Sequence, residues 1–145
     1  MNIQAKLFAR DAGRVMPVGR INFYSKMTAI DTQGAYTVVE ALVPPDSGSG
    51  LHCHWSFDEA ALIIDGKQMT LGPNESVYWP RGAIHKFKSL GPGDSRILFV
   101  CSPGRIFEEF IEQISSSHIQ TGTANSGPAV DVRAIASKYG IEFVD

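Results

Sequence analysis

Hydrophobic and polar positions follow two different periods along this chain. From Arg20 to about Cys101, short runs of β-branched and aromatic residues are separated by turn residues such as Gly, Pro, Asn and Asp. This pattern is typical of strands in an antiparallel sandwich or barrel. It predicts eight strands, which lie near residues 20–30, 35–43, 51–56, 59–65, 67–71, 76–80, 84–90 and 95–101. An all-β fold of two stacked sheets is therefore expected.

The period lengthens after Ser102. Five apolar residues recur there with the spacing of a helix, namely Ile106, Phe107, Phe110, Ile111 and Ile114. They predict an amphipathic helix that has Pro103 in its first turn and covers an open side of the barrel. The segment 115–127 is rich in Ser, Thr, Asn and Gly and is expected to form a linker or lid. A second short helix is predicted over 130–139, where Gly140 is placed to end it.

Length and charge narrow the class of function. The 145 residues fit a single domain over 1–145, with a barrel core at about 20–102 and a helical extension at about 103–145. The formal net charge is −2, and Lys and Arg are scattered along the chain. The basic surface of a nucleic-acid-binding protein is therefore missing, and we expect a small-molecule partner.

Hydropathy and cysteine content bear on location. The longest apolar runs, 60–64 and 97–101, are five residues each, whereas about 20 residues are needed to cross a bilayer. The first residues lack the apolar core of a signal peptide, and the chain has only two cysteines. These features predict a cytoplasmic protein with reduced thiols and no membrane partner.

Three of the four histidines are placed as a metal site requires. His52 and His54 are two residues apart on a predicted strand, so both imidazoles point to one face of the sheet. Glu59 begins the next strand and can return a carboxylate to that face. His85 follows a turn that contains Pro80 and Gly82. Imidazole and carboxylate together suit a transition metal.

The same residues resemble the two cupin motifs. The residues that match the first motif are His52, His54, Glu59 and Gly66. The residues that match the second motif are Gly72, Pro80, Gly82 and His85. The motifs span residues 50–89, and the strand pattern with its following helix extends the resemblance to about Glu112. Two such patterns in order make the resemblance specific.

The resemblance implies both a fold and a ligand set. The fold is the cupin double-stranded β-helix, or RmlC-like jelly roll, with two short C-terminal helices outside the barrel. The ligands to one divalent transition metal per chain (Fe, Mn, Ni, Cu, Co or Zn) would be His52, His54, Glu59 and His85. A homodimer is implied as well, in which an N-terminal strand can exchange into the neighbouring subunit.

The resemblance also implies chemistry. Small cupins with this ligand set include quercetin dioxygenase-like enzymes, in which Glu59 would bind the metal and also deprotonate an enolic or phenolic substrate. Other small cupins are polyketide cyclases, isomerases, decarboxylases or lyases, which use the metal only as a Lewis acid. A third alternative is a cupin that binds a small molecule without catalysis. We expect a metal-dependent dioxygenase first.

Several residues leave alternatives open. Asp58 adjoins Glu59 and could be the carboxylate ligand instead. Asp46 occupies the position of a motif glycine, so the turn there could be shifted toward a nearby glycine. Cys53 is expected to point away from the histidine pair, and His118 is expected to be solvated. The aromatic residues expected in the core or at a dimer interface are Trp55, Tyr78 and Trp79.

Strand alternation predicts a substrate pocket. The residues expected to share a face with the metal ligands are Ala61, Ile63, Phe87 and Ser89. They would form an apolar cavity, which suits a flat aromatic or polyketide-like substrate. The cations considered for an acidic substrate group are Arg81, Lys86, Lys88 and Arg96. Alternation places Lys86 and Lys88 opposite His85, so these two are expected to face solvent.

Overall fold

Seven strands and two helices make up the part of the chain described by a computed structural model, which covers residues 5–9, 12–60, 75–120 and 130–144. For residues 118–120 only the backbone is described. In chain order, the elements are β1 (Val15–Val18), β2 (Ile21–Met27), β3 (Thr37–Val43), β4 (His52–His54), β5 (Asp58–Ala60), β6 (Ser95–Ser102), α1 (Ile106–Gln120), α2 (Val132–Ser137) and β7 (Ile141–Phe143). The predicted all-β fold with two C-terminal helices is confirmed.

The strands form two antiparallel sheets. The larger sheet has the order β1-β2-β3-β6-β5, and the smaller sheet pairs β4 with β7. The residues of β6 alternate between two faces of the sheet. Phe99 and Cys101 are buried, whereas Leu98 and Val100 are exposed. The sheet therefore presents one face to the core.

A cluster of aromatic residues fills the interior. Phe23, Phe99 and Phe107 contact one another with ring centroids 5.8–6.5 Å apart. Phe107 comes from α1, whose other buried residues are Phe110, Ile111, Ile114 and Ser115. As predicted, the apolar face of this helix is buried against the strands, chiefly against β1.

The helices differ from the sequence prediction in their bounds. The first helix begins at Ile106, so Pro103 precedes it and does not lie in its first turn. It continues to Gln120, so the prediction of a linker starting at 115 was wrong for 115–120. Ser117 Oγ donates to the carbonyl of Gln113, 2.9 Å away, which allows a serine to remain inside the helix. Residues 121–127 of the predicted linker lie outside the described residues.

The strands also differ in part. β1 and β7 were not predicted, and residues 61–74, which include most of two predicted strands, lie outside the described residues. In place of the strands predicted at 76–80 and 84–90, the chain makes single backbone pairings at Trp79, His85 and Lys88. Among the described residues, neither helix has the length and apolar content of a membrane span.

Candidate metal centre

Three histidines from two segments lie together in the interior. His52 and His54 come from β4, and their ring centroids are 4.8 Å apart. His85 pairs with His52 through two backbone hydrogen bonds of 2.8 and 2.9 Å, which place its ring centroid 4.4 Å from that of His52. One ring nitrogen from each histidine lies within 4.8 Å of those of the other two. The predicted approach of the two motifs is therefore present.

A tight turn delivers His85. The N–H of Ala83 donates to the carbonyl of Pro80 at 3.1 Å, and Gly82 between them has a φ of 80°. A positive φ at the third position defines a type II turn and favours glycine. The N–H of Gly82 also donates to the carbonyl of His54 at 2.7 Å. The turn is thus fixed directly to the strand that bears the other two histidines.

Asp46 and Gly48 shape the turn that precedes β4. Asp46 has a φ of 60°, the left-handed conformation that glycine adopts most easily. A Cβ at the nearby Gly48 would overlap the carbonyl oxygen of Phe87. Asp46 thus adopts a conformation that favours glycine, while Gly48 allows two chain segments to approach closely.

Backbone carbonyls fix the tautomers of two histidines. Nδ1 of His52 lies 2.8 Å from the carbonyl oxygen of Gly50, and Nδ1 of His85 lies 3.0 Å from that of Ala83. Because a carbonyl can only accept, each Nδ1 carries the proton and each Nε2 carries a lone pair. This arrangement prepares Nε2 as a metal ligand.

Glu59 lies beside this group. β5 holds it through reciprocal backbone hydrogen bonds with Trp79, of 2.7 and 3.1 Å. Its side chain is buried, and Oε2 lies 3.0 Å from Nδ1 of His54 without a hydrogen-bond partner. The compact group of ligand atoms comprises the three histidines, and Glu59 adjoins it through His54.

Asp58, the alternative carboxylate, has other partners. Its Oδ1 accepts a hydrogen bond from the backbone N–H of Arg81 at 3.2 Å, and its Oδ2 lies 3.5 Å from the Arg81 guanidinium. The side chain is partly exposed at the protein surface. Glu59, and not Asp58, is therefore the carboxylate that lies next to a histidine of the group.

Burial controls the protonation states of these residues. It lowers the pKa of His52, lowers the pKa of His54 to about 2 and lowers that of His85 to about 4. For His54, the neighbouring His52 and His85 lower the pKa further. Burial raises the pKa of Glu59 to about 8. The histidines are neutral near pH 7, as metal ligands must be.

The unpartnered atoms fit a bound cation. Nε2 of His54, Nε2 of His85 and Oε2 of Glu59 are buried without hydrogen-bond partners, although buried polar atoms normally have one. Ligand atoms about 2.1 Å from one ion lie roughly 3–4 Å apart. A movement of less than about 1 Å would bring the histidine nitrogens to that spacing. The three histidines could therefore bind a divalent transition metal.

A cavity of about 250 Å³ opens beside His52 and Glu59. Of the residues predicted to line a pocket, Phe87 lines this cavity. Ser89 is buried but shares a hydrogen bond of 2.7 Å with Ser95, and it is not among the described lining residues. Ala61 and Ile63 lie outside the described residues.

Three aromatic side chains pack against the histidine rings, and none of them was predicted as a site residue. Trp79 stacks on His85 with a centroid distance of 4.1 Å, and Phe57 stacks on His54 at 4.2 Å. Phe143 from β7 lies 5.5 Å from His52. Trp79 was predicted as a core aromatic, which its burial confirms, whereas Trp55 and Tyr78 are each more than half exposed. Proximity in sequence was the available signal for Phe57 and Trp79.

The antiparallel sheets and the histidine group define a protein with the RmlC-like cupin jelly-roll fold. Solved structures of this class are similar to the chain. KdgF from Halomonas sp. has a TM-score of 0.60 at 16% identity, covering 71% of this chain and 99% of its own. The polyketide cyclase RemF from Streptomyces resistomycificus has a TM-score of 0.56 at 18% identity, covering 69% and 80%. An RmlC-like cupin from Shewanella frigidimarina has a TM-score of 0.56 at 14% identity, covering 70% and 95%.

Sequence comparison adds one curated relative. The mannose-1-phosphate guanylyltransferase of Escherichia coli K12 is 29% identical over 125 residues, with 81% of this chain covered. The chain spans 22% of the length of that enzyme. No protein-family model matches the chain. The comparisons therefore support the cupin fold and do not identify a reaction.

Proposed function

We propose that this protein is an enzyme in which His52, His54, Glu59 and His85 hold one divalent transition metal beside a small organic substrate. The observation that carries this proposal is the set of unpartnered buried atoms, namely Nε2 of His54 and His85 and Oε2 of Glu59. A purely structural cluster would satisfy these atoms with hydrogen bonds. A cation bound by them would remove the cost of leaving them unpaired.

Glu59 is the proposed catalytic base. When bound, the metal would act as a Lewis acid that lowers the pKa of a coordinated substrate hydroxyl. Glu59 lines the same cavity that we assign to the substrate. Burial raises the pKa of Glu59, which makes its carboxylate a stronger base than a solvent-exposed one. Glu59 would accept the hydroxyl proton on its carboxylate.

We favour dioxygenation as the next step because of the residues that line the cavity. Glu59 is the only carboxyl among the described lining residues. It can serve as the base for one deprotonation, but this lining has no second carboxyl to act as an acid. The remaining lining is mostly apolar, which limits access of water. In this proposal the enolate or phenolate reacts with O₂ and both oxygen atoms enter the product. Membership of the quercetin dioxygenase-like subgroup stays a prediction.

A non-redox reaction is the second candidate. Oε2 of Glu59 lies 3.0 Å from Nδ1 of His54, so a proton taken by Glu59 stays within the site and could return to another substrate atom. That sequence would serve a cyclase, isomerase, decarboxylase or lyase. A cupin that binds its ligand without turnover remains the third alternative. All three alternatives use the same residues, so the experiment has to distinguish dioxygenation, a non-redox reaction and binding without turnover.

Elemental analysis tests the metal site first. The protein is purified without a metal-affinity step, beside His85→Ala and the matched carboxylate variants Glu59→Gln and Asp58→Asn. We expect about one equivalent of metal in the wild type and in Asp58→Asn, and none in His85→Ala. Equal metal content in His85→Ala and the wild type, or no metal in the reconstituted wild type, would reject the proposal.

Oxygen uptake then distinguishes the two reactions. Phenolic and enolic compounds are offered with and without O₂, and product is measured in both. Product formed only with O₂ supports the dioxygenase, whereas equal anaerobic turnover supports the non-redox enzyme. For either reaction, Glu59→Gln should lower the rate by about 10²–10⁴-fold, whereas Asp58→Asn should not. Binding without turnover would identify a non-catalytic cupin.

A further inference from the structure

The cavity beside the candidate metal centre is lined mainly by apolar side chains. Six phenylalanines contribute to its wall, namely Phe23, Phe87, Phe99, Phe107, Phe110 and Phe143. They come from β2, β7, α1, β6 and the segment after His85, so the cavity lies between the barrel and the C-terminal elements. His52 and Glu59 are the titratable residues of the described lining. The cavity thus has an apolar body and a polar end.

The described lining offers no cation to a charged substrate. Neither lysine nor arginine is among these residues, and the hydroxyl of Ser49 already accepts a hydrogen bond from the N–H of Phe87 at 3.2 Å. The basic residues considered from the sequence lie elsewhere. Arg81 contacts Asp58, Lys88 contacts Asp46 and Arg96 contacts Glu40. A phosphate group in this cavity would lose its hydration without an ionic partner.

The volume limits the apolar part of the ligand. An engineered protein cavity of about 150 Å³ lined by Leu, Ile and Phe binds benzene. The present cavity has a volume of about 250 Å³ and so exceeds that size by the volume of a few substituent atoms. It fits one six-membered ring with short substituents.

We propose that the substrate of this site is a small uncharged molecule with one apolar ring, which enters the phenylalanine-lined cavity with a hydroxyl or carbonyl oxygen at His52 and Glu59. This inference rests on the proposed function, because the oxygen at the polar end is the group that the metal would bind. Burial of the ring removes apolar surface from water and provides the affinity. A phosphate or other ionised group in the apolar body of the cavity is disfavoured, because the described lining there provides no compensating charge.

Ligand titration of the metal-free protein tests the ring-binding part directly. Phenol, 4-methylcatechol and mannose 6-phosphate are titrated, with binding followed by calorimetry and by ligand-observed NMR. We expect saturable binding of the two phenols. Mannose 6-phosphate should bind at least about tenfold more weakly, since one uncompensated charge contact exceeds the free energy of a tenfold change. Equal or tighter binding of the phosphate would overturn the inference.

A matched pair of variants locates the binding. Val18 and Val15 lie on the same strand, but Val18 lines the cavity whereas Val15 is half exposed and is not among the lining residues. Val18→Phe should fill the cavity and weaken phenol binding by about tenfold or more, and Val15→Phe should not. Val132→Phe, at a half-buried lining position of α2, provides a second filling variant if Val18→Phe does not fold. Equal phenol affinity in the folded filling variant and in Val15→Phe would place the phenol elsewhere and refute the proposal.

Titration of each variant with Co²⁺ separates this inference from the proposed function. Val18→Phe is expected to retain the wild-type Co²⁺ absorption spectrum and affinity, because it changes no ligand. The wild type could bind phenol, lose that binding in Val18→Phe, and yet bind no metal. This result would reject the proposed function while supporting the ligand class. Metal binding without saturable phenol binding would reject the ligand class while leaving the metal centre intact.

Discussion

Replacement of Glu59 by glutamine should change how the stability of the metal-free protein depends on pH. Burial raises the folded-state pKa of Glu59 from its ordinary 4.5 to about 8. Between these values the unfolded chain has lost the proton, whereas the folded chain retains it. The free energy of unfolding therefore decreases as pH rises from 4.5 to 8. Glutamine resembles the protonated carboxyl and does not titrate, so this contribution disappears in Glu59→Gln.

The size of the effect follows from the shift. A difference of about 3.5 pKa units, at 1.36 kcal/mol per unit, gives at most about 5 kcal/mol at pH 8. The buried histidines act in the opposite direction, because their lowered pKa values destabilise the fold as pH falls below 6.5. Both proteins contain them, so the difference between the two proteins isolates Glu59.

Urea denaturation in the presence of a metal chelator measures this difference. Wild type, Glu59→Gln and the partly exposed control Glu109→Gln are unfolded at pH 5, 6, 7 and 8. We expect the wild type to lose stability relative to Glu59→Gln by up to about 1.4 kcal/mol per pH unit. Glu109→Gln should parallel the wild type. Parallel profiles for the wild type and Glu59→Gln would refute the reasoning, because Glu59 would then titrate alike in the folded and unfolded states.

Three further substitutions test the geometry of the site. His85→Ala should lose its metal in elemental analysis and retain its β-sheet circular dichroism, and a globally unfolded variant would contradict this prediction. Gly82→Ala should lower the free energy of unfolding in urea by about 1–2 kcal/mol, because Gly82 has a φ of 80°. The control Gly93→Ala should change it by less than about 0.5 kcal/mol, because a Cβ at Gly93 would face open space. Trp55→Phe removes the 2.9 Å hydrogen bond to Glu142 and should cost about 0.5–1.5 kcal/mol in thermal unfolding; an unchanged midpoint would assign that bond no net stabilisation.

Local sequence signals were sufficient to predict how each half of the histidine group forms. His52 and His54 obey the two-residue period of a strand, and Gly82 occupies the one turn position that needs a positive φ. The pairing of His85 with His52 is not local and was expected only from the resemblance to cupins. Ligation by Glu59, the single-domain boundary, the homodimer with its exchanged strand and the cytoplasmic location stay predictions.

The remaining features depend on contacts between distant residues. β7 has only three residues, too few to show a period, and its strand conformation depends on pairing with β4. The last turn of α1 contains polar residues that resemble a linker, yet Ser115 is buried in the helix. Asp46 in a left-handed conformation is also unexpected for a residue with a side chain. Packing decided each of these cases against local preference.

The pairing of β4 with β7 sets an order of events during synthesis. Cys53 lies opposite Glu142, so the strand that bears two of the histidines gains this neighbour only after residues 141–143 have left the ribosome. Until then, one edge of β4 has free backbone donors and acceptors, which can pair with another nascent chain. The strand that bears His52 and His54 is therefore completed by a segment far along the chain, and a change in β7 would reach the histidine group through backbone pairing.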